Sequence, residues 1–129
     1  MNDRFRFRAW DSEKLIMHYD ICSLLIIAKL EDVANYKYFT LMQCTGLKDI
    51  NGKLIYEGDI CEYKYYDYEK KYKCTIIWSD EKGRWDCKEI QNDTVIFDSL
   101  YDMMDWMVSS FKVIGNIYEN PELLKEEVL

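Results

Sequence analysis

Alternation opens the chain: from Arg4 to Trp10 basic and apolar residues take turns, with Arg4, Arg6 and Arg8 on one side and Phe5, Phe7 and Ala9 on the other. A period of two marks a half-buried strand, because successive side chains leave an extended backbone on opposite faces. The polar break Asp11-Ser12-Glu13-Lys14 separates this run from residues 15–19, which predicts a β-hairpin as the first element. Residues 21–30 are apolar except Ser23 and Lys29. Periodicity does not separate a buried strand from a short helix there; the β-branched isoleucines favour strand, and residues 32–35 read as a turn. Residues 36–43 form another aromatic, β-prone run.

Residues 41–60 hold three of the chain's five glycines. Thr45-Gly46-Leu47 breaks the strand, Asn51-Gly52 favours the positive φ angles of a tight turn, and Glu57-Gly58-Asp59 bends the chain again. Residues 60–66, 72–78 and 84–87 then read as three strands of a meander, the second alternating Tyr72, Cys74, Ile76 and Trp78 against Lys73, Thr75 and Ile77. After a short β-branched run at 94–97, Ser99 and Asp102 form a capping box, and Leu100, Met103, Met104, Met107, Val108 and Phe111 fall at helical spacing. That predicts a helix of about three turns covering one end of the sheet. Residues 112–118 return to strand, with Gly115 marking a bulge or a close backbone approach, and Asn120-Pro121 ends it. The pattern adds up to a mainly β fold, a small barrel with an added N-terminal hairpin and one short helix.

Composition narrows the function classes. A chain of 129 residues, 49% apolar and 16% aromatic with a single proline, is one folded domain or a small domain with a subdomain. Seventeen Lys and Arg against twenty-four Asp and Glu give a net charge of -7, which repels a polyanion at long range and disfavours duplex nucleic acid as a general ligand. No targeting signal reads at either end, and the longest apolar run, residues 24–28, is far shorter than the ~20 residues a spanning helix needs, so a soluble, non-secreted protein with no membrane partner is expected.

Candidate chemistry is sparse. Cys22, Cys44, Cys61, Cys74 and Cys87 are odd in number and irregularly spaced, without the paired spacing of a zinc site, so they are expected to be reduced core thiols. His18 is the sole histidine and has no predicted partner, Glu57 and Asp59 flank a turn glycine, and no phosphate loop is present. The expectation is no catalytic, cofactor-binding or metal-binding residue, and no enzyme. The most binding-like cluster is Tyr63, Tyr65, Tyr66, Tyr68 and Tyr72 with Lys64, Lys70, Lys71 and Lys73. Aromatic faces among lysines can stack single-stranded bases or grip a peptide; the alternative is a twisted hairpin whose tyrosines pair across strands and cover the core. Arg4, Arg6 and Arg8 are expected to be solvated or paired within the chain, and the Met103, Met104 and Met107 stripe to be core.

Three blocks carry a family resemblance: Phe7-Arg8-Ala9-Trp10-Asp11, the string from Thr45-Gly46-Leu47-Lys48-Asp49 through Asn51-Gly52-Lys53 to Tyr56-Glu57-Gly58-Asp59-Ile60, and Val113-Ile114-Gly115-Asn116-Ile117-Tyr118 with Asn120-Pro121. In this order, across nearly the whole chain, they resemble the YopX family of bacteriophage and prophage proteins. Cys44, where an aromatic residue is more usual, and the tyrosine-rich segment 63–72 depart from its pattern. The resemblance implies an SH3-like barrel in the C-terminal two-thirds, residues 41–121, after a β-rich N-terminal subdomain, 1–40, with an acidic tail at 122–129. It also implies phage or prophage origin and the cytoplasm of a Gram-positive host, and it brings no biochemical activity. Together these readings predict a non-enzymatic accessory or host-modulating factor binding a host or phage protein, with self-association open. Single-stranded nucleic-acid binding through the tyrosine-lysine segment, or mimicry of nucleic acid against a defence protein, are the alternatives.

Overall fold

A computed structural model of the chain describes residues 3–19, 37–66, 68–91 and 94–125. Two antiparallel sheets make up the fold. The N-terminal hairpin forms as expected from β1 (Phe7–Asp11) and β2 (Ile16–Tyr19), and β1 also pairs with β3 (Phe39–Lys48), which carries β4 (Leu54–Tyr56), in the order β2-β1-β3-β4. The second sheet contains β5 (Asp59–Tyr65), β6 (Lys71–Ser79), β7 (Arg84–Gln91), β8 (Thr94–Ser99) and β9 (Val108–Asn116) in the order β8-β7-β6-β5-β9. It curls into half of a barrel, the form that the expected SH3-like unit takes in the described residues. The apolar run at 21–30, read as favouring strand, and the turn at 32–35 lie outside the described residues, as does Cys22.

The changeover between sheets falls at Gly58. Its φ of +86° is open to glycine at little cost, and its backbone serves both neighbours, N–H donating to Ile76 O at 2.8 Å and C=O accepting from Ile117 N–H at 3.0 Å. Upstream, Asp49 organises the Asn51-Gly52 turn. One carboxyl oxygen accepts from the backbone N–H groups of Asn51 and Lys53, both at 2.9 Å, and the other from Val113 N–H at 2.9 Å. The bends in residues 41–60 are therefore structural joints.

Gly115 fulfils both halves of its expectation. Ile60 faces Gly115 but Cys61 faces Val113, so Ile114 is an extra residue on β9. A Cβ on Gly115 would also stand 2.6 Å from Asn120 Oδ1 and 2.9 Å from Leu123 Cδ1, where Asn120 and the 3-10 turn Pro121–Leu124 fold back over the strand.

Two expectations are corrected. The helix is shorter than its spacing predicted: α1 (Leu100–Asp102) widens into a π turn over Met103–Met107 and stops. Val108 and Phe111 belong to β9, where Val108 faces Tyr65 of β5. Sheet pairing offers the β-branched Val108 a ladder that outweighs continued helix. The cap itself is as expected, with Ser99 Oγ accepting from Asp102 N–H. At the other end, Arg4 lies in a 3-10 turn over Asp3–Phe5, so the strand begins only at Phe7, and Arg8 is buried with Ala9 and Trp10.

The core lies inside the half-barrel, where Ile55, Cys61, Tyr63, Cys74, Ile76, Cys87, Leu100, Met103, Val108 and Phe111 pack together, with Met104 and Met107 partly buried against them. The methionine stripe is core.

Candidate binding surface

The tyrosine-lysine segment spans the β5–β6 hairpin, and the pleat sorts it onto two faces. Cys61 faces Cys74 and Tyr63 faces Tyr72 on the inside, while Glu62 faces Lys73 and Lys64 faces Lys71 on the outside. Tyr63 is 1% exposed and stacks on Phe111 at 5.4 Å between centroids. Tyr65 meets Tyr63 and Tyr72 edge to face at 5.9 and 5.2 Å. These three rings pair across strands and cover the core, so no ligand can stack on Tyr63. Tyr66 and Tyr68 are exposed at the hairpin tip, with Lys70 over the Tyr72 ring at 5.0 Å and Lys71 turned outward.

Beneath the rings lies a residue that the hydropathy pattern did not single out. Glu89 of β7 is buried, accepting from Tyr63 O–H at 2.5 Å and from Tyr65 O–H at 3.1 Å. Burial, with the Glu89 carboxyl next to both phenols, pushes the two hydroxyls far above the ordinary tyrosine range. Extending the inward alternation of Trp85 and Cys87 by one step reaches Glu89, and that is the signal in the sequence.

Cys61, Cys74 and Cys87 form a row across β5, β6 and β7, Cys74 hydrogen-bonded to both neighbours. Burial raises the Cys61 and Cys74 thiols, and Cys87 is raised first by its bond with Cys74 and then by burial. Thiols held protonated are poor nucleophiles and poor metal ligands. His18 Nε2 lies 3.8 Å from Asp11 Oδ2, beyond hydrogen-bond reach, and its ring meets Phe39 edgewise.

The arginine run contributes a buried ion pair. Arg8 Nη2 stands 2.8 Å from Asp59 Oδ1 and donates to Glu57 O at 3.0 Å, its guanidinium lies 4.8 Å from the Tyr56 ring centroid, and Asp59 Oδ2 accepts from Tyr56 N–H at 2.8 Å. Arg8 Nε has no acceptor among the described residues. Burial raises the Asp59 carboxyl although Arg8 pulls it the other way, so desolvation is the larger effect here. Beside this pair a hollow of about 360 Å³ is lined by Arg6, Arg8, Tyr19, Lys53, Leu54 and Tyr56, among others. No helix among the described residues is long and apolar enough to cross a membrane.

Comparison with known proteins bears on what this assembly is. Residues 22–125 match the family model described as YopX protein. Over 136 aligned positions the chain is 29% identical to the SPbeta prophage-derived uncharacterized protein YopX of Bacillus subtilis (strain 168), covering 92% of this chain and 95% of that one. Among solved structures, protein EF1440 from Enterococcus faecalis superposes with a TM-score of 0.59 at 26% identity, over 93% of this chain and 97% of its own. Protein yopX from Bacillus subtilis does so with a TM-score of 0.60 at 22% identity, over 97% and 100%. The mainly β two-sheet fold, the motifs at 41–60 and 113–121, and the family match across most of the chain agree, and the chain belongs to the YopX family.

Proposed function

We propose that the protein is a non-enzymatic adaptor of the bacterial cytoplasm that docks on another protein by adding one of the partner's segments to its sheet. The observation that carries this reading is β8. It is the last strand on its side of the half-barrel, paired with β7 alone among the described residues. It has no lysine, no proline and no bulge, the usual devices that blunt a sheet edge. Val95 and Phe97 stand 45% and 47% exposed on it, and Tyr101 and Trp106, just beyond, are 62% and 63% exposed. An open ladder of N–H and C=O groups flanked by apolar side chains fits an extended peptide segment. The exposed Asp102 and Asp105 at the strand's end favour basic residues flanking the apolar stretch of that partner. The protonated thiols support a non-enzymatic role.

Val95→Lys combined with Phe97→Lys tests the reading, because inward-facing core residues are untouched and the edge becomes charged. In pull-downs from a Gram-positive lysate, the parent is expected to enrich a discrete set of proteins that the double variant loses. The same set captured by both would end the proposal. Light scattering on the two proteins separates a self-pairing edge, which would show as a parental dimer mass falling to the monomer in the variant.

A further inference from the structure

We infer that the outward face of β5, β6, β7 and β9 binds the phosphodiester backbone of a single-stranded nucleic acid, on a surface that adjoins the β8 edge only at Lys88, which faces Phe97. Register puts Lys64, Lys71, Lys73, Lys88 and Lys112 on that one face: Lys64 faces Lys71, Glu62 faces both Lys73 and Lys112 on its two sides, and Lys88 faces Thr75, while Lys73 Nζ donates to Leu123 O at 3.2 Å and so adds charge at the margin of the face. The acids of the face are Glu62, set between Lys71 and Lys112, and Asp86, held by Arg84 Nε at 2.6 Å. Five lysines and Arg84 less Glu62 and Asp86 give the face a formal charge of +4, so the remainder of a chain of net -7 carries -11. The charge is therefore segregated, and the global acidity understates what this face does to an anion.

Four features point to a ligand. Lys64 directly opposite Lys71 is a like-charge cross-strand pair, which costs folding stability and is relieved when an anion lies between the two. At the second β5–β9 register shift, Ser110 adopts φ +57°, a strained angle for serine, and helps to form a hollow of about 170 Å³ lined by Glu62, Tyr63, Lys64, Lys71, Ser110 and Lys112. Glu62 holds Lys71 and Lys112 only loosely, at 3.6 and 3.8 Å, so both ammonium groups are free to turn to a stronger anion. Exposed Tyr66, just past the end of β5, supplies an aromatic surface for a base.

Size and charge select the single strand. From β9 to β7 the lysines span three strand spacings, roughly 14 Å, which suits a few consecutive phosphates. A stiff duplex would carry further phosphates over the acidic remainder of the surface, whereas a flexible strand can leave the face at either end.

Fluorescence anisotropy with a labelled oligonucleotide of about twelve nucleotides tests the inference. Binding is expected at low salt, weakening as salt rises with a log–log slope near -3, about 0.7 for each of roughly four neutralised phosphates. Lys64→Glu separates function from folding: it turns a repulsive pair into an attractive one, so its thermal midpoint should match or exceed the parent's while its affinity falls about tenfold. No anisotropy change at low salt, an unchanged affinity in Lys64→Glu, equal binding of the corresponding duplex, or equal competition by a polyglutamate peptide would each overturn it.

Discussion

Replacing Arg8 with methionine is expected to cost about 3–5 kcal/mol of folding stability, read as a lower urea midpoint at neutral pH. Arg8 and Asp59 are both 2% exposed and meet at 2.8 Å, so the variant leaves a buried carboxyl without its cation and Glu57 O without its donor. The deficit should depend on pH in a definite sense. Burial already raises the folded-state pKa of Asp59, and removing Arg8 takes away the charge that opposes this. A carboxyl with a folded pKa above its unfolded value favours folding when protonated, and this contribution is lost as pH rises through the folded pKa. The Arg8→Met deficit should therefore be smallest on the acid side and grow towards neutrality. The double variant Arg8→Met with Asp59→Asn keeps an acceptor for Tyr56 N–H while removing the charge, and it should recover part of the loss. If the double variant is no more stable than Arg8→Met alone, the cost does not come from an uncompensated carboxyl.

The second large effect is expected inside the half-barrel. Glu89→Ala withdraws the acceptor from Tyr63 and Tyr65 and leaves a void under their rings, for an expected loss of about 3 kcal/mol. Tyr63→Phe removes one donor and keeps the ring stacked on Phe111, so its loss should be about 1–2 kcal/mol. If the two losses are equal, the hydroxyl and not the carboxyl dominates the network. Urea titrations of the three proteins decide it.

Much of the strand framework can be read from the chain because the relevant patterns are local. Cys74 and Ile76 point inward as their alternation requires, Asn51-Gly52 turns, and Ser99 caps. What escaped depends on partners far away in sequence. Val108 and Phe111 fit a helical stripe, and only pairing with β5, more than forty residues earlier, makes them strand. Arg8 sits in an alternation that treats all three arginines alike, and what separates it is Asp59, fifty-one positions on. The lysines of the outward face are scattered from 64 to 112, so their gathering is a property of register that no window of sequence contains. The tyrosines were visible as a cluster, but the face each one takes follows from the pleat.

The row of buried cysteines gives the molecule a clock of its own. Cys61, Cys74 and Cys87 belong to the half-barrel and Cys44 to the N-terminal sheet, and all four are closed to solvent. An alkylating reagent can reach each sulfur only while its strand is open, so the labelling rate at each position reports the free energy of that opening. Read peptide by peptide, the four thiols would tell whether the two sheets come apart together or one after the other, without adding any probe to the protein.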